Sequence, residues 1–152
     1  MIANSRLFDP ETVGYLLRHH LADLPVTDFQ HWSAWRPLVV ATAAELIEQT
    51  GQHLIAPQTV LHPPYWQEIR DGLTARGIEV FHVLLDADET VLRQRILGSD
   101  EAVDSRLTHL TDYCDARSWM CDAADLVVEN GSLSSPDEIG RTIAKSLPSV
   151  GG

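Results

Sequence analysis

The chain has 152 residues, 44% of them hydrophobic and 22% charged, and its 11 basic and 22 acidic side chains give a net charge of −11. This length and composition are typical of one globular domain with an ordinary apolar core, and they exclude a disordered tail or a low-complexity protein. The negative charge argues against a general binder of nucleic acid or anionic membranes, because its field repels phosphate.

The two cysteines, Cys114 and Cys121, are too few for a disulfide scaffold or a zinc site of the usual kind. The N-terminal residues lack the pattern of a signal peptide, and no apolar run approaches the ~18 residues of a membrane span. These observations predict a cytoplasmic protein with neither a membrane nor a nucleic acid as partner.

Extended and helical segments alternate along the chain. In chain order, the pattern predicts an extended piece at Ser5–Asp9, a helix at Thr12–Leu21, a helix at Leu38–Thr50, a strand at His53–Val60, a helix at Tyr65–Arg76, a strand at Glu79–Leu85, a helix at Asp88–Leu97, a polar break at Gly98–Asp104, a helix at Ser105–Ala116, a strand at Ala124–Val128, a loop at Glu129–Ser135 and a helix at Pro136–Leu147. This order predicts an α/β fold with a parallel sheet and right-handed crossovers.

Ligands of parallel sheets bind beyond the carboxyl ends of the strands. Four segments occupy such positions here: Asp9, Ala56–Leu61, Asp86–Asp88 and Glu129–Ser132. We therefore look for the functional residues in these segments.

Several segments together carry a family resemblance that covers nearly the whole chain: Ser5–Arg18, Ile55–Val60, His82–Ala87, Leu92–Ile96, Ser105–Leu110 and Ala124–Val128. In order and spacing they resemble the P-loop nucleotide-kinase-like proteins grouped with the tunicamycin-resistance ATP-binding family. The resemblance implies a single domain over 1–152 with a three-layer parallel sheet and flanking helices. It also implies ATP and magnesium as cofactors, and phosphoryl transfer to a small hydroxylated acceptor, related to antibiotic resistance.

The sequence departs from that family at the phosphate-binding loop. The family pattern begins with a strand, a G-x-x-x-x-G-K-[ST] loop and a helix, and this chain has no such loop and a single lysine, Lys145. We expect Met1–Asn4 to be the end of that missing helix, with Met1 an internal methionine; the alternative is an authentic start and an adapted fold. A missing strand exposes sheet edges, so we expect self-association. Because the phosphate-binding loop is absent, we expect no catalysis by this chain alone.

The resemblance implies roles for two residues on the acceptor side. Asp9 would accept a hydroxyl proton or position magnesium, although Asp before Pro also starts a helix well. Arg18 would reach the acceptor, although an exposed arginine is equally ordinary.

A segment of about residues 93–117 resembles a kinase lid and contains Arg93, Arg95, Arg106 and Arg117. We expect Arg95 and Arg106 to stabilise phosphate charge during transfer, and Arg93 to contact the nucleotide base. The alternative is pairing with acidic neighbours on a solvated face: Glu89, Asp100, Glu101, Asp104 and Asp112.

Asn130 and Gly131 follow the last predicted strand, where related folds contact the base; Asn-Gly is also an ordinary turn.

The seven histidines lack metal-site spacing, and we expect no metal bound by this chain's own ligands. The aromatic segment Asp28–Trp32 with Trp35 is either the floor of an acceptor pocket or part of the core.

The alternative to the kinase-like function is a non-catalytic small-molecule-binding module, or pseudo-kinase.

Overall fold

A computed structural model describes residues 2–99, 103–131 and 135–148 of the chain. Its elements, in chain order, are β1 (Ser5–Leu7), α1 (Glu11–His20), a 3₁₀ turn (Phe29–His31), α2 (Trp35–Thr50), β2 (His53–Ile55), α3 (Pro63–Thr74), β3 (Val83–Asp86), α4 (Glu89–Leu97), α5 (Val103–Ala123), β4 (Leu126–Glu129) and α6 (Pro136–Ser146). The contacts divide the chain into two compact units, Ile2–Val80 and the residues from Phe81 onward.

The first unit contains one parallel strand pair, with Ser5 opposite His53 and Leu7 opposite Ile55. Trp35 is completely buried in its core, and the indole nitrogen donates to the carbonyl of Pro10 at 3.2 Å. The other buried core residues of this unit are Phe8, Val13, Leu17, Val39, Val40, Ala43 and Ile69. Helices α1 and α2 form the connection from β1 to β2, and both contribute residues to this core.

Arg36 is a buried charge that joins three segments of this unit. Its Nε donates to Glu68 of α3 at 2.5 Å, and its Nη1 donates to the carbonyl of Gln30 at 2.6 Å. The guanidinium also lies 4.1 Å from the ring centroid of Tyr65. A buried charge needs such partners to offset its desolvation, so Arg36 fixes the 3₁₀ turn against α2 and α3.

The second unit contains the other parallel pair, in which Val83 faces Leu126 and Asp86 faces Glu129. Helices α4 and α5 make the crossover between β3 and β4. Its buried apolar residues come from the strands, from the residue after β3 and from α5: Leu84, Val128, Ala87, Leu110, Ala116 and Met120.

The parallel strands and helical crossovers confirm the predicted α/β class. Within the described residues the strands form two separate two-stranded sheets, and the three-layer arrangement stays a prediction. The strands are also shorter than expected: β2 stops before Ala56 and β3 starts only at Val83, because each ladder extends only as far as its partner strand.

Two helices are longer than the sequence pattern indicates. α2 begins at Trp35, since Pro37 lies in the first turn, where the missing N–H has no helical acceptor to lose. α5 continues to Ala123 because no glycine or proline interrupts it.

The predicted breaks at Gly98–Asp104 and Glu129–Ser135 fall partly outside the described residues, which omit 100–102 and 132–134. In the described part of the chain, no helix has the length and apolar character needed to cross a membrane.

The close approach of α1 to Phe29 makes Gly14 a sensitive position. A Cβ at Gly14 would lie 2.6 Å from the Phe29 ring, whereas a Cβ at Gly140 in α6 meets nothing within 4 Å. We predict that Gly14→Ala lowers the free energy of unfolding by about 1–3 kcal/mol, and that Gly140→Ala raises it by about 0.5–1 kcal/mol. Urea unfolding of both variants measures this, and equal stabilisation by both would contradict the close contact.

Candidate functional site

Asp9 lies just beyond the carboxyl end of β1 and is exposed. Its Oδ1 accepts from the backbone N–H of Glu11 at 2.9 Å, and its carbonyl accepts from the Thr12 hydroxyl at 2.6 Å. α1 itself begins at Glu11 with Pro10 at its cap position, so Asp9 lies one residue before the cap and supports the first turn through the bond to Glu11. Because only one carboxylate oxygen has this bond, Asp9 still presents an acceptor to solvent.

Arg18 lies on the exposed side of α1, near its C-terminus. Its guanidinium is 5.9 Å from the ring centroid of Tyr15, whose hydroxyl donates to Glu11 at 3.0 Å. The aromatic segment is divided between two environments: Trp35 belongs to the core, while Trp32 and Arg18 line the same open cleft.

Asp86, the last residue of β3, holds a cluster that sequence reasoning missed. The Arg117 guanidinium donates to both carboxylate oxygens, Nε to Oδ1 at 2.7 Å and Nη2 to Oδ2 at 2.6 Å. The Tyr113 hydroxyl also donates to Oδ1, at 2.9 Å. For Arg117 the sequence leaves open a phosphate role or an acidic partner near in the chain. Its partner in the structure is Asp86, 31 positions away, which is not among the acidic residues that the sequence offers as alternatives.

The cluster shifts the acidity of its members. The Arg117 hydrogen bonds hold the pKa of Asp86 below its usual value, with a smaller effect from Tyr113, and partial burial opposes both. Burial, and then the bond to the Asp86 carboxylate, raise the pKa of Tyr113 to about 12. The Asp86 carboxylate raises the pKa of Arg117 above its ordinary value. At neutral pH the cluster is therefore a fully formed ion pair with a neutral phenol.

Arg95 joins two of the sequence-predicted elements. Its Nη2 donates to the carbonyls of Asn130 and Gly131, at 3.1 Å each, from α4 to the loop after β4. The backbone N–H of Asn130 in turn donates to the carbonyl of Asp86 at 2.6 Å. Arg95, Asn130 and Gly131, assigned separately from the sequence, thus form one local group beside the carboxyl ends of β3 and β4.

The other two arginines have local partners. Arg93 donates to Glu89 at 2.7 Å, one helical turn away on α4, as the solvated-face alternative predicts. The Nη1 of Arg106 donates to the Ser99 hydroxyl at 3.1 Å. Asp100 and Glu101, two of the acidic residues considered as partners, lie outside the described residues.

Two features that hold a triphosphate and its magnesium, the phosphate-binding loop and a cluster of metal ligands, are missing from the part of the chain that the structure describes. No G-x-x-x-x-G-K-[ST] loop exists in the 152 residues, and the single lysine is exposed on α6. Among the residues that the structure describes, no three His, Cys, Asp or Glu side chains gather where they would hold a metal ion. The Asp86 carboxylate, which ends β3, is already held by Arg117.

Two parallel strand pairs, each joined by helical crossovers, define an α/β protein with small parallel sheets and flanking helices. No protein-family model matches the chain, and no curated protein matches it. The fold is similar to the solved structure of the Deinococcus radiodurans tunicamycin resistance protein, with a TM-score of 0.71 and 23% sequence identity. That match covers 94% of this chain and 82% of the other. At this identity the likeness shows a shared fold.

The ion pair at the end of β3 predicts a pH-dependent contribution to stability. Asp86→Asn should lower the free energy of unfolding at neutral pH by about 1–2 kcal/mol, because a partly buried charged hydrogen bond is lost. The folded pKa of Asp86 is depressed, so this contribution is present above the unfolded carboxyl pKa of about 3.9 and disappears as the pH falls through the folded value.

Urea unfolding of the parent and the variant, from neutral pH downward, measures the difference. Asp122→Asn, an exposed carboxylate on the same helix as Arg117, is the control and should change stability little at any pH. A gap between parent and Asp86→Asn that stays constant down to the lowest pH would contradict the ion pair.

Proposed function

We propose that the chain is an ATP-binding, kinase-like protein acting on a small hydroxylated acceptor, in the functional area of antibiotic resistance. The observation that carries the proposal is the group formed by Arg95, Asn130 and Gly131 beside the ends of two parallel strands. In this proposal Asn130 and Gly131 contact the nucleotide base, with Arg93 beside them on α4. The likeness in fold to a tunicamycin resistance protein supports the antibiotic-resistance part of the proposal.

On the acceptor side, the proposal assigns Asp9 to the acceptor hydroxyl and Arg18 to binding. Asp9 keeps one carboxylate oxygen outside its helix-starting bond, which supports a proton-accepting role. Arg95 and Arg106 would stabilise phosphate charge from α4 and α5, in a lid that spans about residues 93–117.

The proposal includes inactivity of these 152 residues by themselves. Phosphoryl transfer depends on backbone amides and a lysine that surround the phosphates, with a hydroxyl on magnesium. The sequence contains no such loop. Full activity would require a strand, a phosphate-binding loop and a helix in addition to this chain.

We predict that ATP perturbs the amide NMR signals of Asn130 and Gly131, and that Arg95→Ala weakens this binding about fivefold by releasing the loop. We also predict no ADP formation above a protein-free blank, with magnesium present. Amide NMR titration measures the first effect, and a coupled ADP assay measures the second.

Arg141→Ala, an exposed arginine on α6, is the matched control and should leave ATP binding unchanged. Signals that shift equally in the parent and in Arg95→Ala would contradict the base site. ADP production by the chain alone would contradict its inactivity.

A second candidate function, a non-catalytic small-molecule-binding module or pseudo-kinase, is favoured by the open cleft that Arg18 and Trp32 line. Binding in that cleft without any response to ATP distinguishes this function from the first.

We also propose self-association through the sheet edges. Leu7 and Ile55 face each other in register, and they are 70% and 41% exposed. Both faces of a parallel sheet are normally covered, so this exposed aliphatic pair favours association.

We predict a concentration-dependent increase in sedimentation coefficient at micromolar protein, reduced by Leu7→Lys or Ile55→Lys. Leu16→Lys changes a leucine that is 54% exposed on α1 and should leave the association unchanged. A monomer at all concentrations, or an equal effect of all three substitutions, would contradict association through Leu7 and Ile55.

A further inference from the structure

An open cleft of about 270 Å³ lies in the first unit, where the C-terminal end of α1 meets the irregular segment that follows it. Its walls are formed by one cation, one aromatic ring and four small or aliphatic residues: Arg18, Trp32, Leu21, Ala22, Pro25 and Val26. Sites for drug-sized ligands occupy roughly 300–1,000 Å³, so this cleft suits a ligand with one ring.

Arg18 brings a charge to the cleft that the described residues do not neutralise. Its guanidinium has a ring contact with Tyr15, and in residues 2–99, 103–131 and 135–148 it makes no hydrogen bond or ion pair. The Tyr15 hydroxyl holds Glu11, so that carboxylate has its own partner. Guanidinium groups bind carboxylate and phosphate through paired hydrogen bonds, and Arg18 retains its donors for such an anion.

Trp32 supplies the flat wall. Its indole nitrogen donates to the carbonyl of Leu24 at 3.0 Å, which fixes the ring, and the side chain packs partly against the core. A fixed indole favours contact with another planar ring, in stacked or edge-to-face geometry. The aliphatic residues around it offer a ring no competing hydrogen bonds.

We propose that this cleft binds a small planar ring that carries an anionic group, with the ring against Trp32 and the anion on Arg18. The proposal rests on the proposed function only in treating this ligand as the acceptor; binding in the cleft needs neither ATP nor phosphoryl transfer.

The test is an NMR titration of the full chain with para-hydroxybenzoate, which has a ring, a hydroxyl and an anion, in the absence of ATP. We expect saturable shifts of the Trp32 indole N–H and the Arg18 Nε–H, with a dissociation constant on the order of 1 mM for so small a ligand. Para-hydroxybenzamide keeps the ring without the charge, and acetate keeps the charge without the ring. Each should bind about tenfold more weakly.

Arg18→Ala and Trp32→Leu should each weaken para-hydroxybenzoate binding about tenfold, and Arg76→Ala, an exposed arginine of the same unit, should leave it unchanged. Arg18→Lys tests the donor geometry without losing the charge and should recover only part of the affinity. Equal binding of the benzamide and the benzoate, or unchanged binding by both cleft variants, would overturn the proposal. Neither result depends on ATP binding, so the ATP titration tests the kinase-like function independently of this cleft.

Discussion

The pairing of β3 with β4 determines the arrangement of the second unit. It places Asp86 opposite Glu129, and the carbonyl of Asp86 then receives the N–H of Asn130 at 2.6 Å. The same residue binds α5 through the Arg117 guanidinium, while Arg95 of α4 holds the carbonyls of the following loop. One strand pair thus positions two helices and a loop. A shift in its register would separate all of these contacts, because successive side chains of a strand alternate between faces.

The first unit depends on burial rather than on an ion pair at a strand end. Trp35 is completely buried at the centre of its core, and the next residue, Arg36, carries a charge into the same layer. The charge is tolerated because Glu68, the Gln30 carbonyl and the Tyr65 ring surround it. These contacts fix the segment that supplies Trp32, so the cleft is supported by the core beneath it.

The sequence predicted what depends on local pattern. The strand–helix alternation follows from neighbouring residues. So do the bond of Asp9 to the first turn of α1 and the pairing of Arg93 with Glu89, which the sequence offers only as alternatives to a functional role. Strand lengths and the partner of Arg117 did not follow, because both are decided by residues far away in the chain. The sequence pattern marks Asp86 only as the residue that follows a strand; a buried strand that finishes in a carboxylate, followed by an arginine-containing helix, is the signal that indicates the ion pair.

The central claim is the proposal that this chain binds ATP as a kinase-like protein, although its 152 residues contain no G-x-x-x-x-G-K-[ST] loop. The most direct measurement is a calorimetric titration of the full chain with ATP and magnesium. The account predicts saturable binding of ATP with no turnover. A folded chain that shows no heat of binding at millimolar ATP would contradict the account and favour a protein that binds only another small molecule.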